Sequence, residues 1–167
     1  MANPPAPVLV FTWGNPSRGD DALGPALYER LQEIQSAGRL PGVDLLTDFQ
    51  LQIEHAMDLH GYSQVIFVDA AVNLARSFRF ELLQPSRDDS YTTHALNPAA
   101  VLAVYAEFYS EPPPESYLLS MQAERFELCN DLVARDETVQ PTIGFRYVFV
   151  KRRVVGEDVI HLQRVAL

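Results

Sequence analysis

The run Val8-Leu9-Val10-Phe11-Thr12-Trp13 is continuously apolar apart from one threonine, without the alternation of a half-exposed strand. A strand of this kind must be buried on both faces, which is the situation of a central strand in a parallel sheet covered by helices. The text that follows strengthens that reading. Gly14-Asn15-Pro16-Ser17-Arg18-Gly19-Asp20-Asp21 is a polar loop, and from Ala22 to Gln35 the residues Leu23, Leu27, Leu31 and Ile34 recur at helical spacing. Pro25 is compatible with this helix because it falls in the first turn.

The same grammar continues along the chain. Val43–Phe49 reads as a strand, Ile53–His60 as a short helix, and Gln64-Val65-Ile66-Phe67-Val68-Asp69 as a second buried strand ending on a carboxylate. Ser77–Leu83 alternates Phe78, Phe80 and Leu82 with polar residues, the pattern of an edge or antiparallel strand. Pro98–Tyr109 is helical and is stopped by Pro112-Pro113-Pro114, and Ser116–Gln122 is a further strand. Strands alternating with helices predict an α/β fold, a three-layer α/β/α sandwich around a mostly parallel twisted sheet. At 167 residues and 47% apolar content, one domain spanning 1–167 is expected, able to bury a core without a metal to hold it together.

The tail from about 129 is atypical. Residues 144–167 hold 5 bases and 2 acids, leaving 8 bases and 20 acids in residues 1–143 out of the totals of 13 and 22. Two segments rich in β-branched residues, Arg146–Val155 and Asp158–Val165, flank Gly156-Glu157 and give a β-hairpin signal. The net charge of −9 and the absence of a long basic run argue against nucleic acid as a partner. The first apolar run is too short for a membrane span or a signal sequence, and the single Cys129 has no internal disulfide partner, so a cytoplasmic protein is expected.

Three polar groups fall where buried strands run out: Asp20/Asp21, Asp69 and His94. Parallel strands end on one edge of the sheet, so two carboxylates and an imidazole meeting there would form an N/O metal site suited to nickel, zinc or iron. Each has a plainer reading. Asp20 or Asp21 could cap the helix that follows, Asp69 could satisfy loop amides, and His94 could be structural or exposed. Gly14-x-x-x-x-Gly19 lacks the Lys-Ser/Thr of a phosphate loop, no Gly-x-Ser-x-Gly elbow is present, and Cys129 reads as an inert thiol. His55, His60 and His161 read as surface or capping residues rather than ligands.

Taken together, VLVFTWGNPSRGDDALG at Val8–Gly24, VIFVDAA at Val65–Ala71 and HALNP at His94–Pro98 resemble the hydrogenase maturation endopeptidases. These enzymes remove a C-terminal peptide from the large-subunit precursor of [NiFe] hydrogenases. Gly14, Asn15, Asp20, Asp21 and Gly24 match the first block, and Asn97 stands where the third block has serine. LLTDFQLQIEH at Leu45–His55 is similar to the subgroup serving NAD-reducing, bidirectional hydrogenases. The resemblance covers about residues 8–128.

It implies an aspartic-type-like peptide-bond hydrolase and hydrogenase activator in which Asp21, Asp69 and His94 contact a metal and act in catalysis, and Asp48 contacts substrate. The nickel would arrive with the precursor, with no tightly bound cofactor of the protein's own. Two alternatives stay open: a non-catalytic, chaperone-like relative that binds the precursor uncut, motivated by the tail, and a conventional metallohydrolase holding its own zinc.

Overall fold

The computed structural model describes residues 7–87, 96–123, 147–154 and 157–164. They belong to two units. The larger contains strands β1 (Val8–Trp13), β2 (Val43–Asp48), β3 (Gln64–Ala71), β4 (Phe78–Leu83) and β5 (Glu115–Gln122), with helices α1 (Leu23–Ser36) and α2 (Pro98–Tyr109). Two 3-10 segments, Gly19–Ala22 and Ile53–Leu59, precede α1 and follow β2. The smaller unit contains β6 (Tyr147–Val154) and β7 (Glu157–Arg164), paired antiparallel from Tyr147↔Arg164 to Val154↔Glu157. The two antiparallel strands read in the tail are therefore present.

The five strands of the larger unit lie in the order β2-β1-β3-β5-β4. β1 pairs in parallel with β2 and β3, β3 pairs in parallel with β5, and β4 closes the edge antiparallel to β5. The alternation over Phe78–Leu83 thus belongs to an antiparallel edge strand, and the unbroken apolar runs belong to the central β1 and β3. Phe11, Phe67 and Val65 are fully buried there.

Strand order dictates the layers. The β1-to-β2 crossover moves one way along the sheet and the β2-to-β3 crossover passes back beyond β1. Right-handed connections then place α1 on one face and the Ile53–Leu59 helix on the other. On the second face, Leu9, Phe11, Val65 and Phe67 pack with Leu51, Ala56 and Leu59 and with Val101, Leu102 and Tyr105 of α2. On the first, α1 buries Leu23, Leu27 and Leu31, residues spaced one helical turn apart, against the sheet. No helix among the described residues is long and apolar enough to cross a membrane.

The reversal between β1 and β3 is a topological switch point. In open α/β sheets the loops leaving the carboxyl ends of such strands diverge to opposite faces and leave a crevice between them. The sequence places Gly14–Asp21 after one of these strands and Asp69 at the end of the other.

Candidate functional site

The loop after β1 is built around two residues, Asn15 and Asp21. The Asn15 side-chain oxygen accepts the Ser17 amide at 2.9 Å, an Asx turn, while its carbonyl accepts the Arg18 amide at 3.0 Å. The Asn15 amide donates in turn to Asp21 Oδ2 at 3.0 Å. Asp21 therefore reaches back over the end of β1. The expectation that it might cap α1 is corrected: the N-cap position is Ala22, and no side chain makes a cap bond there.

Two glycines allow this closure. Gly14 has φ +146°, and a Cβ on it would lie 2.0 Å from the Asp21 carbonyl oxygen. A Cβ on Gly24, in the first turn of α1, would lie 2.2 Å from the Trp13 carbonyl oxygen. The start of α1 sits directly on the end of β1, and only residues without a side chain permit the approach.

Asp69 lies near the end of β3, in register with Ser120 of β5. Its Oδ1 accepts the amide of Ala70, the next residue of the same strand, at 2.8 Å; the donor is a strand amide and not the loop amide that the plainer reading expected. Burial pushes its carboxyl up from 3.8 to about 6, the Ala70 amide opposes the shift, and the negative charge of Asp21 adds to it. The charge of Asp21, in the loop after β1, thus reaches Asp69 on the neighbouring strand β3. A shared cation would relieve both the desolvation and the repulsion, so this donor pair suits a divalent ion.

Asp48 ends β2, in register with Trp13, and its carbonyl accepts the Gly14 amide at 3.1 Å. This places it on the same sheet edge, one strand beyond β1. Its Oδ2 meets His55 Nε2 at 3.1 Å, and its Oδ1 accepts the Phe49 amide at 2.5 Å. His55 is buried, not on the surface; its capping role is real, because Nδ1 accepts the Gln52 amide at 2.8 Å. The contact from His55 to Asp48 was not foreseen. The Gln52-x-x-His55 spacing is the available signal, since residues three apart at a helix start can cap reciprocally and thereby orient the second side chain.

His94 lies outside the described residues, as do Cys129 and the side chain of His161. Among the described residues no three His, Cys, Asp or Glu side chains group as a metal-holding set. Asn97, three residues after His94, is described: its side chain caps α2 by accepting the Ala99 amide at 2.9 Å, with Pro98 in the first turn.

No protein-family model matches the sequence, and no curated protein matches it. Solved structures do. A [NiFe] hydrogenase maturation protease, HycI, from Thermococcus kodakarensis is similar with a TM-score of 0.56 and 24% identity, over 74% of this chain and 78% of that one. The hydrogenase maturating endopeptidase HybD from E. coli gives 0.53 and 21%, over 73% and 77%. The maturation protease HybD from T. kodakarensis gives 0.51 and 16%, over 73% and 83%. The chain has the fold of the hydrogenase maturation proteases.

Proposed function

We propose that this protein is an endopeptidase that removes the C-terminal extension from a [NiFe] hydrogenase large-subunit precursor once nickel has been inserted. The observation that carries the proposal is the electrostatic pairing of Asp21 with Asp69 at the switch point of this fold. Solved structures of that fold are maturation proteases, and the first two sequence blocks fall on β1 with the loop after it and on β3. The similarity of Leu45–His55 supports a client of the NAD-reducing, bidirectional kind.

In this reading the nickel is part of the substrate. Asp21 and Asp69 supply two oxygen donors to it, and His94, close in sequence to the Asn97 cap, supplies a nitrogen. Binding an ion already seated in the client fixes the neighbouring peptide bond in register, which converts recognition into proximity. The ion can also polarise the scissile carbonyl or a water. The arrangement accounts for hydrolysis without a serine or cysteine nucleophile, and a client lacking nickel would offer the carboxylates nothing to hold. Asp48, on the same edge, contacts the client polypeptide.

The test uses purified protein with nickel-loaded and nickel-free precursor, followed by mass spectrometry of the client's C-terminus. Loss of the peptide from the loaded form alone is expected. Equal trimming of both refutes nickel recognition. Stable binding of loaded precursor with no trimming refutes the endopeptidase and favours a chaperone-like relative. Metal analysis of the isolated protein is expected to find no stoichiometric zinc; one equivalent would favour a conventional metallohydrolase.

A further inference from the structure

We infer that His55 is a positioning residue that clamps the Asp48 carboxylate at the edge of the site and so sets how the client is held; this rests on the endopeptidase reading above. The residue is buried, at 8% exposure, and its ring stands edge-on to Phe11 with centroids 4.6 Å apart and planes at 86°. Phe11 belongs to the central strand, so the ring orientation is fixed by the core.

Both ring nitrogens are committed. Nδ1 accepts the Gln52 amide at 2.8 Å and therefore carries no proton. The single proton sits on Nε2 and is donated to Asp48 Oδ2 at 3.1 Å. Asp48 Oδ1 holds the Phe49 amide, and the Asp48 carbonyl holds the Gly14 amide. A neutral imidazole orients the carboxylate without cancelling its charge. The Asp48 side chain remains 40% exposed, so its remaining lone pairs are open to hydrogen-bond donors of an incoming polypeptide. Gly14 adjoins Asn15, whose amide holds Asp21, and the clamp is thereby tied to the carboxylate pair through a short run of backbone. A plain helix cap would need only the Nδ1 contact, and would not require a second polar atom aimed at a sheet-edge carboxylate.

Two substitutions separate the roles. His55→Asn keeps an acceptor near the Nδ1 position and loses the donor to Asp48. His55→Gln can place its amide near the Nε2 position and keep that donor. For nickel-loaded precursor, His55→Asn is expected to raise KM about tenfold, the worth of one hydrogen bond to a charged group, with kcat falling far less. His55→Gln is expected to restore KM to within about threefold, although it loses the cap.

Thermal melts check that both variants fold. Unchanged KM in folded His55→Asn, or equal loss of kcat in both variants, overturns the positioning role. Nitrogen NMR of the wild-type ring is expected to show the Nε2–H tautomer, and an Nδ1–H ring overturns the clamp whether or not the protein cuts precursor. Failure of the wild type to cut, with the Nε2–H tautomer present and client binding weakened only in His55→Asn, would instead remove the endopeptidase reading and keep the clamp.

Discussion

The negative charge of Asp21 helps to hold the carboxyl of Asp69 protonated up to about 6, on top of the larger effect of burial. The loop after β1 therefore brings a negative charge to bear on a partly buried acid of the neighbouring strand β3. Such an arrangement costs stability and makes sense where a ligand uses it.

Asp69→Asn is accordingly expected to abolish processing and to stabilise the isolated protein at neutral pH. The folded carboxyl takes its proton at about 6 and the unfolded one at 3.8. Below 3.8 both states are protonated and the folded state bears no burden. As pH rises through about 6, ionisation must occur beside Asp21 in a partly dry site, and stability falls. The full separation corresponds to at most roughly 3 kcal/mol. Chemical denaturation at pH 8 and pH 4 checks this: Asp69→Asn should gain on the wild type at the higher pH and show little gain at the lower. An equal gain at both would show that the carboxyl is not strained by its charge.

Asp21→Asn is expected to separate architecture from chemistry. An amide oxygen can still accept the Asn15 amide now held at 3.0 Å, so the melting temperature should stay near that of the wild type. The charge facing Asp69 is gone, and processing of loaded precursor should drop by about a hundredfold or more, as for loss of an electrostatic group acting on the reacting centre. A variant that folds and cuts normally would remove Asp21 from the site.

Gly24→Ala is expected to damage both fold and site, unlike an ordinary helix Gly→Ala change, which stabilises. The new methyl would stand 2.2 Å from the Trp13 carbonyl oxygen, so α1 must lift from the end of β1. A loss on the order of 2–4 kcal/mol is expected, read by denaturant titration. Nickel-loaded precursor should be cut slowly even at temperatures where the variant is folded, because Asp21 moves with the helix start.

Much of this was legible before any coordinates. The unbroken apolar text of Val8–Trp13 and Val65–Val68 marks strands covered on both faces, and the alternation of Phe78, Phe80 and Leu82 marks the antiparallel edge. That β1 and β3 end on one edge of the sheet, with Asp21 and Asp69 at those ends, is legible from parallel strands pointing the same way. The role of Asp21 within its loop was not legible, because an acid before a helix is equally a cap; tertiary closure through the Asn15 amide decides it. The burial of His55 was hidden for a similar reason. A lone histidine in a short polar-looking helix carries no signal of Phe11 beneath it, since that contact joins residues far apart in the chain.

Asn97 yields the last prediction. It stands where the family block has serine, and its structural task is to cap α2 through the Ala99 amide at 2.9 Å. Serine and asparagine are near-equal N-caps, whereas alanine leaves the first-turn amide without its side-chain acceptor. Asn97→Ser should therefore be neutral and Asn97→Ala should cost about 1 kcal/mol, measured by thermal unfolding. If His94 acts from the segment leading into this cap, Asn97→Ala should also slow processing beyond what its stability loss explains, and Asn97→Ser should restore the rate. Equal rates for the two variants, after correction for the folded fraction, would uncouple the α2 cap from the chemistry.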